Sequence, residues 1–298
     1  MAHVLTLIAA KAKTPLSADI VSTLANALAA RGITSGPADW LGEDEACDIP
    51  FGGEKATAAD IARGVIGDHA IDFGIVAAAG RRKILLIADM DSTMIGQECI
   101  DELAAEIGAG EIVAAITQKA MNGEIAFRPA LRERVALLKG MPVETVGKVL
   151  AERITLTPGG RALVATMRAN GAYASLVSGG FTAFAEPLAS RLGFDEFRAN
   201  ELNHENGVFT GTVAEPALGS DAKCTRLRDL TAGRGLDQIH TLAVGDGAND
   251  LAMIRAAGLG VAFHAKPAVE AEADVAIRHG DLTALLYLQG YRRKDFIS

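Results

Sequence analysis

Ile84-Leu85-Leu86-Ile87-Ala88 is an unbroken apolar run that stops at Asp89-Met90-Asp91. A strand with one wet face would alternate. A continuous run fits a strand buried on both faces of a parallel sheet. The arrangement recurs: residues 173–177 end in Ser178-Gly179-Gly180, and residues 241–244 end in Gly245-Asp246-Gly247. Helical segments lie between these runs. The pattern predicts a doubly wound α/β core, and such sheets hold ligands beyond the carboxyl ends of their strands. The polar clusters fall at those ends.

Two further segments belong to the plan. Residues 97–155, rich in Ala, Glu, Ile and Leu, read as a helical cap inserted between the first two core strands. Residues 1–80 read as a small α+β unit. Strands are expected at 4–9, 33–41, 46–51 and 71–77, and helices at 17–31 and 58–66, in the order βαββαβ of a ferredoxin-like sandwich. Gly80-Arg81-Arg82-Lys83 marks the junction, and the core takes 81–96 and 156–298. Asn206-Gly207 between Leu202 and Val208 signals a hairpin.

Composition removes some partners. A net charge of −8 gives no general attraction to nucleic acid or an anionic membrane. The N-terminal apolar run is short and lacks a preceding basic segment, against a secretory signal. No apolar stretch approaches the roughly 18 residues of a spanning helix. Cys47, Cys99 and Cys224 are scattered, so free thiols in a reducing cytoplasm are expected rather than a disulfide or zinc framework. A homodimer is compatible with the chain.

Chemistry concentrates in four places. In Asp89-Met90-Asp91-Ser92-Thr93, two carboxylates sit two residues apart after a buried strand. A charged loop or helix cap is the plain alternative. The chemical reading gives one acid the role of nucleophile and the other that of proton donor and acceptor. Gly245-Asp246-Gly247-Ala248-Asn249-Asp250 is either a glycine-rich turn or part of a Mg²⁺ site. Asp89 and Asp246 would supply carboxylates and Asp91 its backbone carbonyl. Asp250 would ligate directly, ligate through water, or only orient its neighbours. Ser178-Gly179-Gly180 offers a hydroxyl and backbone N–H groups to a phosphate. Lys223 alone would be a surface charge. It gains meaning only if a phosphoryl group needs a cation.

As a set and in this order, Asp89-x-Asp91-x-Thr93, Ser178, Lys223 and Gly245-Asp246-Gly247-x-Asn249-Asp250 resemble the four motifs of the haloacid dehalogenase-like phosphatases. The resemblance implies a Rossmannoid core with a cap and Mg²⁺-dependent catalysis through an aspartyl-phosphate. It assigns Asp89 as nucleophile, Asp91 as general acid/base, Asp246 as their metal partner, and Lys223 and Ser178 as phosphoryl holders, with Gly179 and Asn249 beside them.

The cap carries a narrower resemblance, over about residues 84–290. Met121-Asn122-Gly123-Glu124-Ile125-Ala126-Phe127, the Arg134 segment, and Asp91-Ser92-Thr93 running on to Glu98 are similar to phosphoserine phosphatases. By that resemblance Glu98 meets the substrate ammonium and Arg134 its carboxylate, while Met121 and Phe127 exclude water. Taken alone, Glu98 and Arg134 read more readily as ordinary exposed helix charges. Arg128 departs from the family, which usually has an acid there. Residues 1–80 resemble the ACT-like domain of some bacterial members. Two rivals remain: a same-fold phosphotransferase to homoserine or another small alcohol, and an amino-acid-sensing regulator with an inactive core.

Overall fold

The computed structural model describes residues 1–10, 13–122 and 124–297, without the side chain of Met121. The N-terminal unit runs β1 (His3–Ala9), α1 (Ala18–Ala30), β2 (Thr34–Ser35), β3 (Asp39–Gly42), β4 (Ala46–Gly52), α2 (Lys55–Ile66) and β5 (Ile71–Ala77). Its sheet is antiparallel in the order β2-β4-β1-β5, with β3 also on β4. The single strand expected at 33–41 is therefore two short ones. Pro37 sits in the gap, where it has no N–H to give the ladder.

β1 shows why this sheet is not free. Leu5 and Leu7 pack with Leu24, Leu28 and Ala62 of the two helices. Val4 and Ile8 point the other way and join the core of the rest of the chain. Polar groups on that face are matched as well. Asp72 accepts the backbone N–H groups of Arg278 at 2.8 Å, His279 at 3.1 Å and Gly280 at 2.8 Å. Arg81 donates from Nη2 to Asp48 at 2.8 Å and from Nε to the Leu288 carbonyl at 2.7 Å. Half-buried Arg81, in the expected junction, thus ties the N-terminal sheet to the C-terminal end of the chain.

The core begins with β6 (Leu85–Ala88). The insert follows as α3 (Cys99–Ala105), α4 (Gly110–Met121), α5 (Phe127–Ala136) and α6 (Thr145–Glu152). Then come α7 (Gly160–Ala169), β7 (Tyr173–Phe181), α8 (Thr182–Leu192), β8 (Glu196–Asn200), the hairpin β9 (Leu202–Glu205) and β10 (Val208–Val213), α9 (Asp221–Gly233), β11 (Thr241–Gly245), α10 (Leu251–Ala256), β12 (Leu259–Phe263), α11 (Pro267–Glu270), β13 (Val275–Ile277) and α12 (Ala284–Leu288). The six-stranded sheet is parallel, in the order β13-β12-β11-β6-β7-β8. From β6 the chain winds outward one way through β7 and β8, then the other way from β11. The β6–β11 boundary is thus the topological switch point.

β7 runs further than its sequence suggests. The apolar run ends at Ser178-Gly179-Gly180, but the strand continues through these residues to Phe181 with a register shift after Val177. The glycines mimic a loop signal here because a Cβ on Gly179 would strike Phe127 of the insert and one on Gly180 would strike Asp91. Among the described residues no helix is long and apolar enough to cross a membrane.

Candidate active site

The tips of β6 and β11 are tied together, since the Asp89 N–H donates to the Val244 carbonyl at 3.0 Å. Asp89 is buried, and its Oδ1 accepts from the Met90 N–H at 2.7 Å and from Lys223 Nζ at 2.6 Å. Ser92 then takes φ +55°, rare outside glycine. Asp91 and Asp89 line the same cavity. Asp91 is held by the Cys99 N–H at 2.9 Å and by the Ser178 hydroxyl at 3.3 Å.

Lys223, near the start of α9, also donates to Asp250 Oδ1 at 2.6 Å. The other Asp250 oxygen accepts the N–H groups of Asp246 at 3.2 Å and Gly247 at 3.1 Å. Gly245 makes this possible: a Cβ there would lie 2.3 Å from Asp250 Cγ. The Thr93 hydroxyl donates to Asp246 at 3.2 Å.

Charge does not balance in this cluster. Asp89, Asp246 and Asp250 each offer an oxygen within 4.8 Å of the others, with one lysine among them. Burial, then the charge of Asp250, pushes Asp246 up to about 7. The same two causes hold Asp89 well above the ordinary carboxylate range, against the pull of Lys223. Burial raises Asp91, opposed by its hydrogen bonds to Cys99 and Ser178. Burial would lower Lys223, but Asp250 and Asp89 outweigh it and keep the ammonium charged. An oxygen-rich, over-anionic cluster fits a hard divalent cation. Asn249 Oδ1, at the same cavity, is buried without a partner among the described residues.

The insert forms the far wall. Glu98 precedes α3, accepts from the Ser92 hydroxyl at 2.7 Å, and is held well above its ordinary range by burial and by Asp91. Arg134 on α5 is buried and borders the cavity with Thr117, Ile100 and Leu131. Phe127 lies over Gly179, where a Cβ would stand 2.4 Å from its ring. The structure thus brings Asp89, Asp91, Glu98, Phe127, Arg134, Ser178, Gly179 and Asn249 to one cavity. Lys223, Asp246 and Asp250 lie directly behind Asp89. The Met121 side chain and Gly123 lie outside the described residues. The Gly180 N–H, part of the expected phosphate cradle, is taken by Ser178 Oγ at 2.8 Å.

Arg128 points away from the cavity chemistry. It donates to the Ala217 carbonyl and to Asp221, both at 3.2 Å. One turn on, Arg132 donates to Glu215 at 2.7 Å. Both arginines fasten α5 to the loop before α9.

Residues 86–255 match the haloacid dehalogenase-like hydrolase family. The chain belongs to that family. Phosphoserine phosphatase SerB2 of Mycobacterium tuberculosis is 43% identical over 224 residues, which cover 75% of this chain and 54% of that protein. The chain thus spans about half the length of that curated relative. A solved phospho-aspartyl intermediate analogue of phosphoserine phosphatase is 40% identical with a TM-score of 0.66, covering 69% of this chain and 98% of that one. A HAD family hydrolase from Salmonella enterica has a TM-score of 0.82 at 27% identity, over 96% of this chain and 98% of that one.

Within this haloacid dehalogenase-like hydrolase, sequence reasoning overlooked Asp101, Thr117 and the Ser92 hydroxyl. Thr117 had a signal: a polar residue four places after Val113 on the buried stripe of α4.

Proposed function

We propose that the protein hydrolyses O-phosphoserine to serine and phosphate through a phosphoryl group carried on Asp89. One observation supports this most: a single cavity joins the Asp89–Asp91 pair to Glu98 and Arg134. A substrate with a phosphate, an ammonium and a carboxylate needs that spread of groups.

An Asp89 carboxylate oxygen attacks phosphorus, and the bond from phosphorus to the serine oxygen breaks. Asp91 gives its proton to the departing oxygen. Asp91 then takes a proton from water, whose oxygen attacks phosphorus and breaks the bond to Asp89. Lys223, the Ser178 hydroxyl, Asn249 and the Gly179 N–H hold the phosphoryl oxygens. Asp89, Asp246 and the Asp91 carbonyl would hold Mg²⁺, which supplies positive charge to the phosphoryl oxygens when bound. Asp250, whose oxygens are already engaged, orients Lys223 and the Asp246 loop. Phe127 keeps bulk water out. Buried free thiols support a cytoplasmic setting, and the sheet order of residues 1–80 supports an ACT-like unit.

The test is Mg²⁺-dependent phosphate release over a panel of phosphorylated amino acids and sugars, with and without an alcohol acceptor. Phosphoserine should lead, with phosphate as product. A dominant phosphorylated acceptor would make the protein a phosphotransferase, and no turnover of any compound would end the proposal.

A further inference from the structure

Arg134 is 6% exposed, yet no carboxylate pairs with it among the described residues. Its Nε donates to the Ala130 carbonyl at 3.2 Å, and its Nη1 donates to the Thr117 hydroxyl at 2.9 Å. Thr117 is itself buried, and its hydroxyl lies 2.6 Å from Asp101 Oδ1 and 3.0 Å from the Val113 carbonyl. One hydroxyl has one proton to give, and the shorter, charged acceptor takes it. No described residue accepts from Nη2.

A guanidinium left alone in such a place would be costly. A direct Arg–Asp pair would relieve the cost but would fill the fork with a bidentate partner. The observed chain does neither. Asp101 supplies countercharge through a hydroxyl, and one edge of the fork remains unspent. Thr117 and Arg134 both border the cavity.

We propose that Thr117 is the positioning residue that sets specificity for a substrate carboxylate, by relaying Asp101 to Arg134 while keeping the guanidinium edge open. The proposal rests on the phosphoserine reading. Thr117 touches no reacting atom. It acts through Arg134, so it should govern KM for carboxylate-bearing substrates and leave kcat nearly alone.

The experiment compares wild type, T117V, T117S, D101N and R134A on phosphoserine and on 4-nitrophenyl phosphate, which has no carboxylate. T117V keeps the shape and removes the relay. It should raise KM for phosphoserine by ~10–100-fold, the usual loss when a buried charged donor is orphaned. Its kcat and its aryl phosphate kinetics should stay within about threefold, and T117S should restore KM. D101N can still accept the hydroxyl but lacks the charge, so it should raise the same KM by a smaller factor. An unchanged phosphoserine KM in T117V, or equal losses on both substrates, overturns the assignment. If T117V does not fold, D101N decides: an unchanged KM overturns it. R134A separates the two levels. A loss confined to phosphoserine with a silent T117V removes only the role of Thr117, whereas equal losses on both substrates in R134A remove the phosphoserine reading beneath it.

Discussion

At the strand tips, Lys223 meets Asp89 and Asp250 directly, each at 2.6 Å. On the insert, Glu98 and Arg134 each end on a hydroxyl, from Ser92 and Thr117. The first region holds one cation in direct contact with two of its three clustered carboxylates, at the ends of β6 and β11 and the start of α9. Among the described residues, neither charge of the second meets an opposite charge directly. A rigid, pre-paired cluster suits bond making, where misplacement by an ångström is costly. A charged pair resting on hydroxyls suits recognition, because the ligand completes it.

The harshest way to break this contrast is Asp89→Asn. Lys223 keeps Asp250, so the fold should survive while kcat falls by at least ~10⁴-fold, as for a lost nucleophile. Circular dichroism with phosphate release checks both halves. Near-normal turnover would mean that the paired cluster is not where bonds form. Arg134→Ala strikes the other region. It should cost ~10²–10³-fold in kcat/KM for phosphoserine and little for an aryl phosphate.

A third test uses pH. Asp246 sits at about 7 in the folded, metal-free protein, against an ordinary 3.8. Between those values the folded state holds more protons than the unfolded one, so stability falls as pH rises from about 4 to about 7. Melting of chelator-treated protein should show that decline, on the order of 5 °C. Asp246→Asn should flatten it, and Mg²⁺ should raise the melting point more above pH 7 than below 5. A flat profile in the wild type would mean that the cluster is not over-charged. The smallest effect concerns α5. Arg128→Ala with Arg132→Ala removes two exposed clamps, so KM should change by only about two- to threefold, more at low salt. Stopped-flow binding of phosphate at two ionic strengths would reveal it.

The strand tips were legible in the sequence for a plain reason. Strands covered on both faces must be apolar throughout, so their ends show as sudden polarity at Asp89 and Asp246. The end of β7 was not, because Ser178-Gly179-Gly180 carries a turn-like composition while the strand continues. Thr117 and Asp101 are sixteen residues apart on different helices, and only the packing of α3 on α4 makes them one device. Arg128 looked like a departure in charge, and its partner Asp221 lies 93 residues away. The inward face of the N-terminal sheet was equally hidden. Asp48 and Asp72 fall inside the expected strands with nothing local to mark them, while the groups they bind come some 33 and 206 residues later.

Asp72 carries a consequence for anyone who would divide this chain. Its carboxylate fills a ring of three backbone donors just past β13. A fragment beginning after residue 80 would uncover that ring as an empty anion trap beside a newly wetted apolar wall. Such a piece should gather sulfate or phosphate from its buffer and clump at high concentration, even with its catalytic aspartates in place.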